Sequence, residues 1–362
     1  MTSYLYQQYK PALPPGVFER IEQAADTVHR RLASIDLENA GISAYSQRAL
    51  RIKLANPLGH LQIYGNLLCL ALAGASTSLE QFTFIEYGGG VGVFSLLAKA
   101  SGIATVIYND IYELSCQDAQ TIARQAGIQL DAYICCDMDG LIDYVAQKGY
   151  TINAIASWDV IEHIYDIETY LKKLRLLSQA PFRAVFGSGA NARNPLIRRK
   201  LEKKQRRCEY QRRQRQWGHK ERDTLEGYYD ARKGIIKAYA PDLPAAAIDD
   251  LAGKTRGLMI SDIHDAVDEY RGAGIISFRP AGAYNTCDPY TGNWAEHLMD
   301  PDHLTALLFE ERFSVRILSG YWPYSKATYK NLIMKPINAV IRKAGARALA
   351  IAPYYVVCAD RG

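Results

Sequence analysis

The sequence has no apolar run near the roughly 20 residues that a membrane-crossing helix requires; the longest, around Leu67 to Ala73, stops far short. It has no basic start followed by an apolar core, so Met1-Thr-Ser-Tyr-Leu-Tyr-Gln-Gln does not read as a signal peptide. It has no Cys-x-x-Cys pair either. The seven cysteines, Cys69, Cys116, Cys135, Cys136, Cys208, Cys287 and Cys358, are scattered and odd in number. That argues against a disulfide framework and a structural zinc site, and leaves most of them as small buried hydrophobes. No internal repeat is present, and no low-complexity tract apart from one basic run. These absences leave a soluble cytoplasmic protein as the expectation.

What is present is 362 residues with 48% hydrophobic content, enough for one large domain or two ordinary ones. The net charge of +5 is unevenly spread. Between Arg193 and Arg222 there are thirteen Lys or Arg against three Glu, and the rest of the chain is net acidic. Organisation follows the apolar spacing. Phe18, Ile21, Ala25, Val28 and Leu32 recur at helical intervals, and the first 80 residues read as a helical segment. From Phe82 onward, short apolar strands alternate with helices: Phe82–Glu86, Thr105–Tyr108, Ala132–Cys136, Ala154–Ser157 and Ala184–Gly187. That alternation predicts a parallel sheet with right-handed crossovers over 81–190. A long polar, mainly helical stretch over 191–311 reads as an insertion between the fifth and sixth strands. Strand patterning returns in Phe313–Leu318 and Leu349–Cys358, so 312–362 completes the α/β core. A helix near Asn331–Lys343 reads as a packed crossover between the last two strands, with contact to a membrane surface as a minor alternative.

The first strand ends in Glu86 and enters Tyr87-Gly88-Gly89-Gly90-Val91-Gly92. Glycines allow a tight turn and close backbone approach to a ligand, and the helix that follows offers free N–H groups. A dinucleotide fold spaces its glycines as Gly-x-Gly-x-x-Gly; here the third comes one residue early, and Val93 stands where that glycine would be. Glu86 would repel a pyrophosphate and suits a ligand with a cationic amino group. Asp110, ending the second strand, can accept hydrogen bonds from both hydroxyls of a ribose, and Asp137, ending the third, lies where an adenine amino group would be read. The combination disfavours a nicotinamide dinucleotide and favours S-adenosylmethionine.

Ile85-Glu-Tyr-Gly-Gly-Gly-Val-Gly92, Tyr108-Asn-Asp110, Cys136-Asp-Met138 and Ser157-Trp-Asp-Val-Ile-Glu-His-Ile164 resemble the successive motifs of class I S-adenosylmethionine-dependent methyltransferases. The resemblance spans about residues 82–190, and Ala352-Pro-Tyr-Tyr-Val-Val357 resembles the family's antiparallel seventh strand. It implies a seven-stranded, mostly parallel Rossmann-like sheet with helices on both faces, carrying S-adenosylmethionine across its carboxyl edge and releasing S-adenosylhomocysteine. It further implies that Glu86 meets the methionine end or its bound water, that Gly88, Gly90 and Gly92 line the turn, and that Asp110 holds the ribose. Asp137 and Met138 would face adenine, with Ser157 completing the cofactor set.

Asp159, Glu162 and His163 leave the fourth strand beside the expected sulfonium. Ubiquinone-pathway O-methyltransferases and small-RNA 3′-end methyltransferases carry Glu-x-x-Glu-His here, which binds a divalent cation; this sequence has Asp159 for the first Glu. Three readings stay open: Glu162 and His163 cap and pack a helix, His163 is a general base aided by Asp159, or the three side chains hold a metal. The metal is not favoured. Methyl transfer from a sulfonium is already downhill and needs mainly alignment and a deprotonated acceptor.

Arg198-Arg-Lys-Leu-Glu-Lys-Lys-Gln-Arg-Arg207 places cations on every face of any helix it forms. It reads as a solvated helix or as an attractor for an anionic partner, including nucleic acid. The loop from Tyr284 to His297 is rich in polar and aromatic residues. It reads equally as an acceptor wall or as a loop that hydrogen-bonds itself. His219, Arg256, Asn285, Trp294 and His297 are the substrate candidates. The expected reaction is O-methylation of a hydroxylated, saccharide-like small molecule. An RNA methyltransferase using the basic segment and a non-catalytic S-adenosylmethionine-binding protein are the alternatives.

Overall fold

The computed structural model describes residues 4–177, 181–214, 223–324 and 328–362. Seven strands form one sheet: β1 (Thr83–Tyr87), β2 (Thr105–Asp110), β3 (Ala132–Cys135), β4 (Ala154–Trp158), β5 (Phe182–Ser188), β6 (Ser314–Ser319) and β7 (Tyr355–Arg361). Their order across the sheet is β3-β2-β1-β4-β5-β7-β6. The pairings β1–β2, β1–β4, β2–β3 and β4–β5 are parallel. β7 enters antiparallel between β5 and β6, with Val185 opposite Cys358 and Ile317 opposite Val357. This is the Rossmann-like methyltransferase sheet expected from the sequence.

Residues 1–160, 168–189 and 301–362 form one compact unit, and 161–167 with 190–300 form a second. The sheet unit carries α1 (Val17–Ala33), α2 (Ala44–Ala55), α3 (Pro57–Leu72), α4 (Val93–Ala100), α5 (Glu113–Gln125), α6 (Met138–Lys148) and α7 (Ile167–Leu177). The second unit is built from α8 (Pro195–Tyr210), α9 (Tyr228–Tyr239), α10 (Ala245–Lys254) and α11 (Ile260–Ala273). The chain then returns to the sheet unit with α12 (Pro301–Glu310) and α13 (Thr328–Ala344). The helical stretch expected over 191–311 thus divides, because α12 packs on β6 and β7.

α1 buries Phe18, Ile21, Ala25, Val28 and Leu32 at helical intervals against α3 and α4. α3 is buried on every side and also packs on β4 and β5. Strands β1, β4 and β5 are almost continuously buried, as a sheet covered on both faces demands. The second unit has its own core, in which Ile236, Leu251, Ile263 and Val267 meet.

Three expectations shift. The last strand begins at Tyr355, not Leu349, because Gly345–Ala350 forms a 3-10 turn that buries Leu349 before the strand starts. α8 does not show cations on every face: Leu201, Gln205, Cys208 and Glu209 turn inward, leaving Arg198, Arg199, Lys203, Arg206 and Arg207 exposed. α13 is only partly a packed crossover. Ile341 is fully buried, whereas Leu332, Ile333 and Val340 are 74%, 58% and 54% exposed.

Candidate active site

β1 pairs with β2 on one side and β4 on the other, so the chain changes direction across the sheet at this point. Open α/β sheets bind ligands above the carboxyl ends of the strands where that reversal occurs. Glu86, Asp110 and Asp159 belong to this edge, at the ends of β1, β2 and β4.

The glycine turn leaves β1 with Gly88, Gly90 and Gly92 all in the left-handed region, at φ +70°, +55° and +73°. At Gly88 a Cβ would also lie 2.6 Å from Val160 Cγ2, and at Gly89 one would lie 2.5 Å from the Tyr108 ring. The turn is held from β2. Gly89 N–H donates to the Asn109 carbonyl (2.9 Å), Gly90 N–H donates to Asp110 Oδ2 (2.9 Å), and the Tyr108 hydroxyl donates to the Gly90 carbonyl (2.6 Å). A Cβ on Gly90 would meet nothing within 4 Å. The turn therefore has free space beside it, as a cofactor cradle requires.

Glu86 is buried, and its Oε2 accepts from Ser95 N–H (2.7 Å) and Ser95 Oγ (2.5 Å) at the start of α4. Burial pushes its carboxyl up to about 7, against the opposing pull of the Ser95 bonds. Between its ordinary 4.5 and about 7, the folded chain retains a proton that the unfolded chain has lost. Stability from this group therefore falls as pH rises through that window. Glu86→Gln should flatten the fall, a difference on the order of 3 kcal/mol between pH 5 and pH 8 in denaturant titrations. Parallel pH profiles for both proteins would rule the assignment out.

Asp110 Oδ1 accepts from Tyr112 N–H (3.0 Å), which fixes the carboxylate at the mouth of β2. Asp137 is the N-cap of α6, with Oδ1 accepting from Gly140 N–H (3.1 Å), and Met138 beside it is buried. Asn109 ties the ends of β2 and β3 by donating to the carbonyls of Ile134 (3.1 Å) and Cys136 (3.0 Å). The Ser157 hydroxyl on β4 is fully buried and makes no hydrogen bond among the described residues. A buried polar atom without a partner suits a site that completes itself on a ligand. Asp159 sits at φ +54°, with its N–H on the Gly187 carbonyl and its Oδ1 accepting from Gly189 N–H, both at 2.9 Å.

The sequence reading missed what α2 and α3 bring to this edge. Lys53 donates to the Tyr64 hydroxyl and lies 5.0 Å over that ring, which stacks on Phe94 (5.3 Å). Burial opposes the Lys53 charge, but Tyr64, Glu86 and Asp159 together hold its ammonium above the usual lysine range. His60 is pushed down to about 4 by burial and by the Lys53 charge, so it is neutral at physiological pH. Tyr45 is raised to about 12 by burial and by Asp110. The acidic edge of the sheet is thus matched by one cation from an N-terminal helix.

In the second unit, His163 closes the short turn Ile161–His163. Its Nδ1 lies 2.8 Å from the Trp294 carbonyl. A carbonyl only accepts, so Nδ1 carries a proton and donates to it. Glu162 is fully buried, and its carbonyl accepts from His297 N–H (3.0 Å). Trp294 stacks on His297 at 4.1 Å and donates from Nε1 to the Tyr165 carbonyl (3.2 Å). Asn285 is buried, with Oδ1 accepting from Gln205 Nε2 (2.9 Å) and Leu298 N–H (3.0 Å). Trp294 thus bonds to His163 and Tyr165, and Asn285 to α8 and Leu298. Arg256 donates to the Gly282 carbonyl (2.9 Å). His219 lies outside the described residues. Among the described residues, no group of three His, Cys, Asp or Glu side chains is arranged to hold a metal ion.

One buried pair organises the second unit. The fully buried guanidinium of Arg232 grips both oxygens of Glu209 (2.5 and 3.3 Å) and donates from Nε to the Ala252 carbonyl (2.9 Å). Thr286 Oγ1 adds a bond to Glu209 Oε2 at 2.7 Å.

No family model matches the chain, and no curated protein matches it. Solved structures do. An S-adenosylmethionine-dependent methyltransferase from Mesorhizobium loti is similar at 11% identity and TM-score 0.38, over 82% of this chain and 95% of its own. One from Archaeoglobus fulgidus is similar at 14% identity and TM-score 0.34, over 78% and 88%. One from Agrobacterium tumefaciens is similar at 18% identity and TM-score 0.28, over 34% and 42%. On the chain's own strand order, with β7 alone inserted antiparallel, the fold is that of the Rossmann-like, class I methyltransferases.

Proposed function

We propose that the chain transfers a methyl group from S-adenosylmethionine to an oxygen of a hydroxylated small molecule. The observation that carries the donor is the carboxyl edge of the sheet. There an open glycine turn follows Glu86 and is held by Asp110, and the Lys53 cation faces the charge of Glu86 and Asp159. Glu86 balances the methionine ammonium, Lys53 the methionine carboxylate, and Asp110 accepts from the ribose hydroxyls. Asp137 and Met138 flank adenine, and Ser157 supplies a hydroxyl from β4. The acceptor reading rests on His163, four residues beyond Asp159, an imidazole whose orientation the Trp294 carbonyl fixes at Nδ1 and which is the candidate to take the acceptor's proton.

S-adenosylhomocysteine titrated calorimetrically against the intact chain tests the donor half. Asp110→Ala should weaken binding about 10- to 100-fold, the loss of charge-assisted hydrogen bonds worth about 1.5–3 kcal/mol. An unchanged dissociation constant would remove Asp110 from the site. Labelled S-adenosylmethionine with fractionated cell extract, with and without chelator, tests the acceptor half. Label appearing only in macromolecular fractions would replace the small-molecule reading with an RNA one. No label anywhere, despite tight binding, would leave a non-catalytic binder.

A further inference from the structure

Between Arg312 and Ala359 the sequence holds eight Lys or Arg and no Asp or Glu. The acidic side chains that flank this stretch are both paired, Glu311 with Arg175 and Asp360 on β7 with Arg183 and Arg316. α13 lies in the middle of this acid-free segment. Tyr329, Leu332, Ile333, Pro336 and Val340 are all exposed on it, at intervals of three and four that place them on one face. Asn338 and Ile341 face inward, so this outer apolar stripe is separate from the packed one. The same helical spacing places Lys330 on one flank of the stripe and Lys335 and Arg342 on the other.

Lys335 and Arg342 also border a cavity of about 190 Å³ whose other walls include Tyr6, Tyr321, Tyr324 and Asn338. Its floor is rigid. Asn338 accepts from Trp322 N–H (2.8 Å) and donates to the Trp322 carbonyl (2.8 Å), to which the Tyr6 hydroxyl also donates (3.1 Å). Tyr6 meets Tyr321 at 4.7 Å and Tyr324 at 5.7 Å between ring centroids. A cationic, tyrosine-walled cavity thus adjoins an exposed apolar stripe on one helix.

We propose that α13 docks on an anionic lipid surface, with Leu332, Ile333 and Val340 entering the acyl boundary and the cavity at Lys335 and Arg342 receiving a phosphate headgroup. Tyrosine and cationic flanks around an apolar stripe are what an interfacial helix needs to lie in the headgroup layer. The charge argues for the anionic partner: an acid-free cationic segment is attracted to a negative surface over about a Debye length. The inference is independent of methyl transfer, since no residue of the sheet's carboxyl edge takes part.

The test is co-sedimentation of the full chain with vesicles of phosphatidylcholine alone and of phosphatidylcholine with equimolar phosphatidylglycerol. Binding is expected to favour the anionic vesicles at least tenfold and to fall steeply with added salt. Lys335→Ala and Arg342→Ala should each cost about fivefold in affinity. Leu332→Gln, at a solvent-exposed position, should release the chain from vesicles while its circular dichroism is unchanged. Equal binding to both vesicles, or none, overturns the proposal. So does displacement by millimolar inorganic phosphate together with indifference to Leu332→Gln, which makes the cavity a soluble-anion site. A Leu332→Gln chain that changes from dimer to monomer without losing vesicle affinity assigns the stripe to a second copy instead.

Discussion

Replacing His163 with alanine is expected to slow methyl transfer about 10²- to 10⁴-fold while leaving the dissociation constant for S-adenosylhomocysteine unchanged. The expectation follows from the proposed role of its imidazole as the base that takes the acceptor's proton, with the Trp294 carbonyl holding the ring at Nδ1. The same bond also ties His163 to its loop, and alanine removes both properties at once. His163→Asn separates them, because its amide N–H can replace the donation to Trp294 but offers no comparable base. If His163 is the base, both variants are slow. If it only holds the loop, asparagine restores the rate, and the general-base role fails.

The second large effect is on stability. Arg232→Ala should destabilise the unit formed by 161–167 and 190–300 by about 3–5 kcal/mol, because it leaves the Glu209 carboxylate buried without its partner. Removing both charges, as Arg232→Met with Glu209→Gln, should cost clearly less than the single change. Denaturant unfolding of the intact chain, followed at tryptophan and by circular dichroism, measures both. A single variant no worse than the double would mean that the pair carries no such burden. Arg232→Lys should be intermediate, since lysine cannot grip both oxygens of Glu209 and reach the Ala252 carbonyl together.

The sheet was legible because its strands are short apolar runs between turn signals, and β1 to β5 fall within about two residues of where those signals predict. The end of the chain was less legible. Leu349 is apolar because it is buried in a 3-10 turn, and a short apolar run does not distinguish a buried turn from a strand. The glycine turn announced itself through residue types that have few other uses together. Lys53, Tyr64, His60 and Tyr45 did not, because each is an ordinary member of a helix and only the packing of α2 and α3 brings them to the turn. One signal was available. Gln62, Tyr64 and Asn66 interrupt the most uniformly buried helix of the sheet unit, and polar groups in such a setting require partners. Arg232 gave none, since its burial depends on Glu209 from another helix.

The position of β7 has a consequence during synthesis. β5 cannot complete its hydrogen-bond ladder until β7 emerges, because β7, not β6, is its neighbour. Roughly 170 residues separate the two strands, and at about 5–20 residues per second the ribosome takes roughly 8–30 s to deliver them. For that interval the nascent sheet presents β5 as an open, largely apolar edge, the kind of surface on which strands from other chains pair. The second unit, with its own core, is made within the same interval, so the chain can fold the insertion before it can close the sheet. Expression yield should therefore depend more on chaperone supply than on the stability of the finished fold.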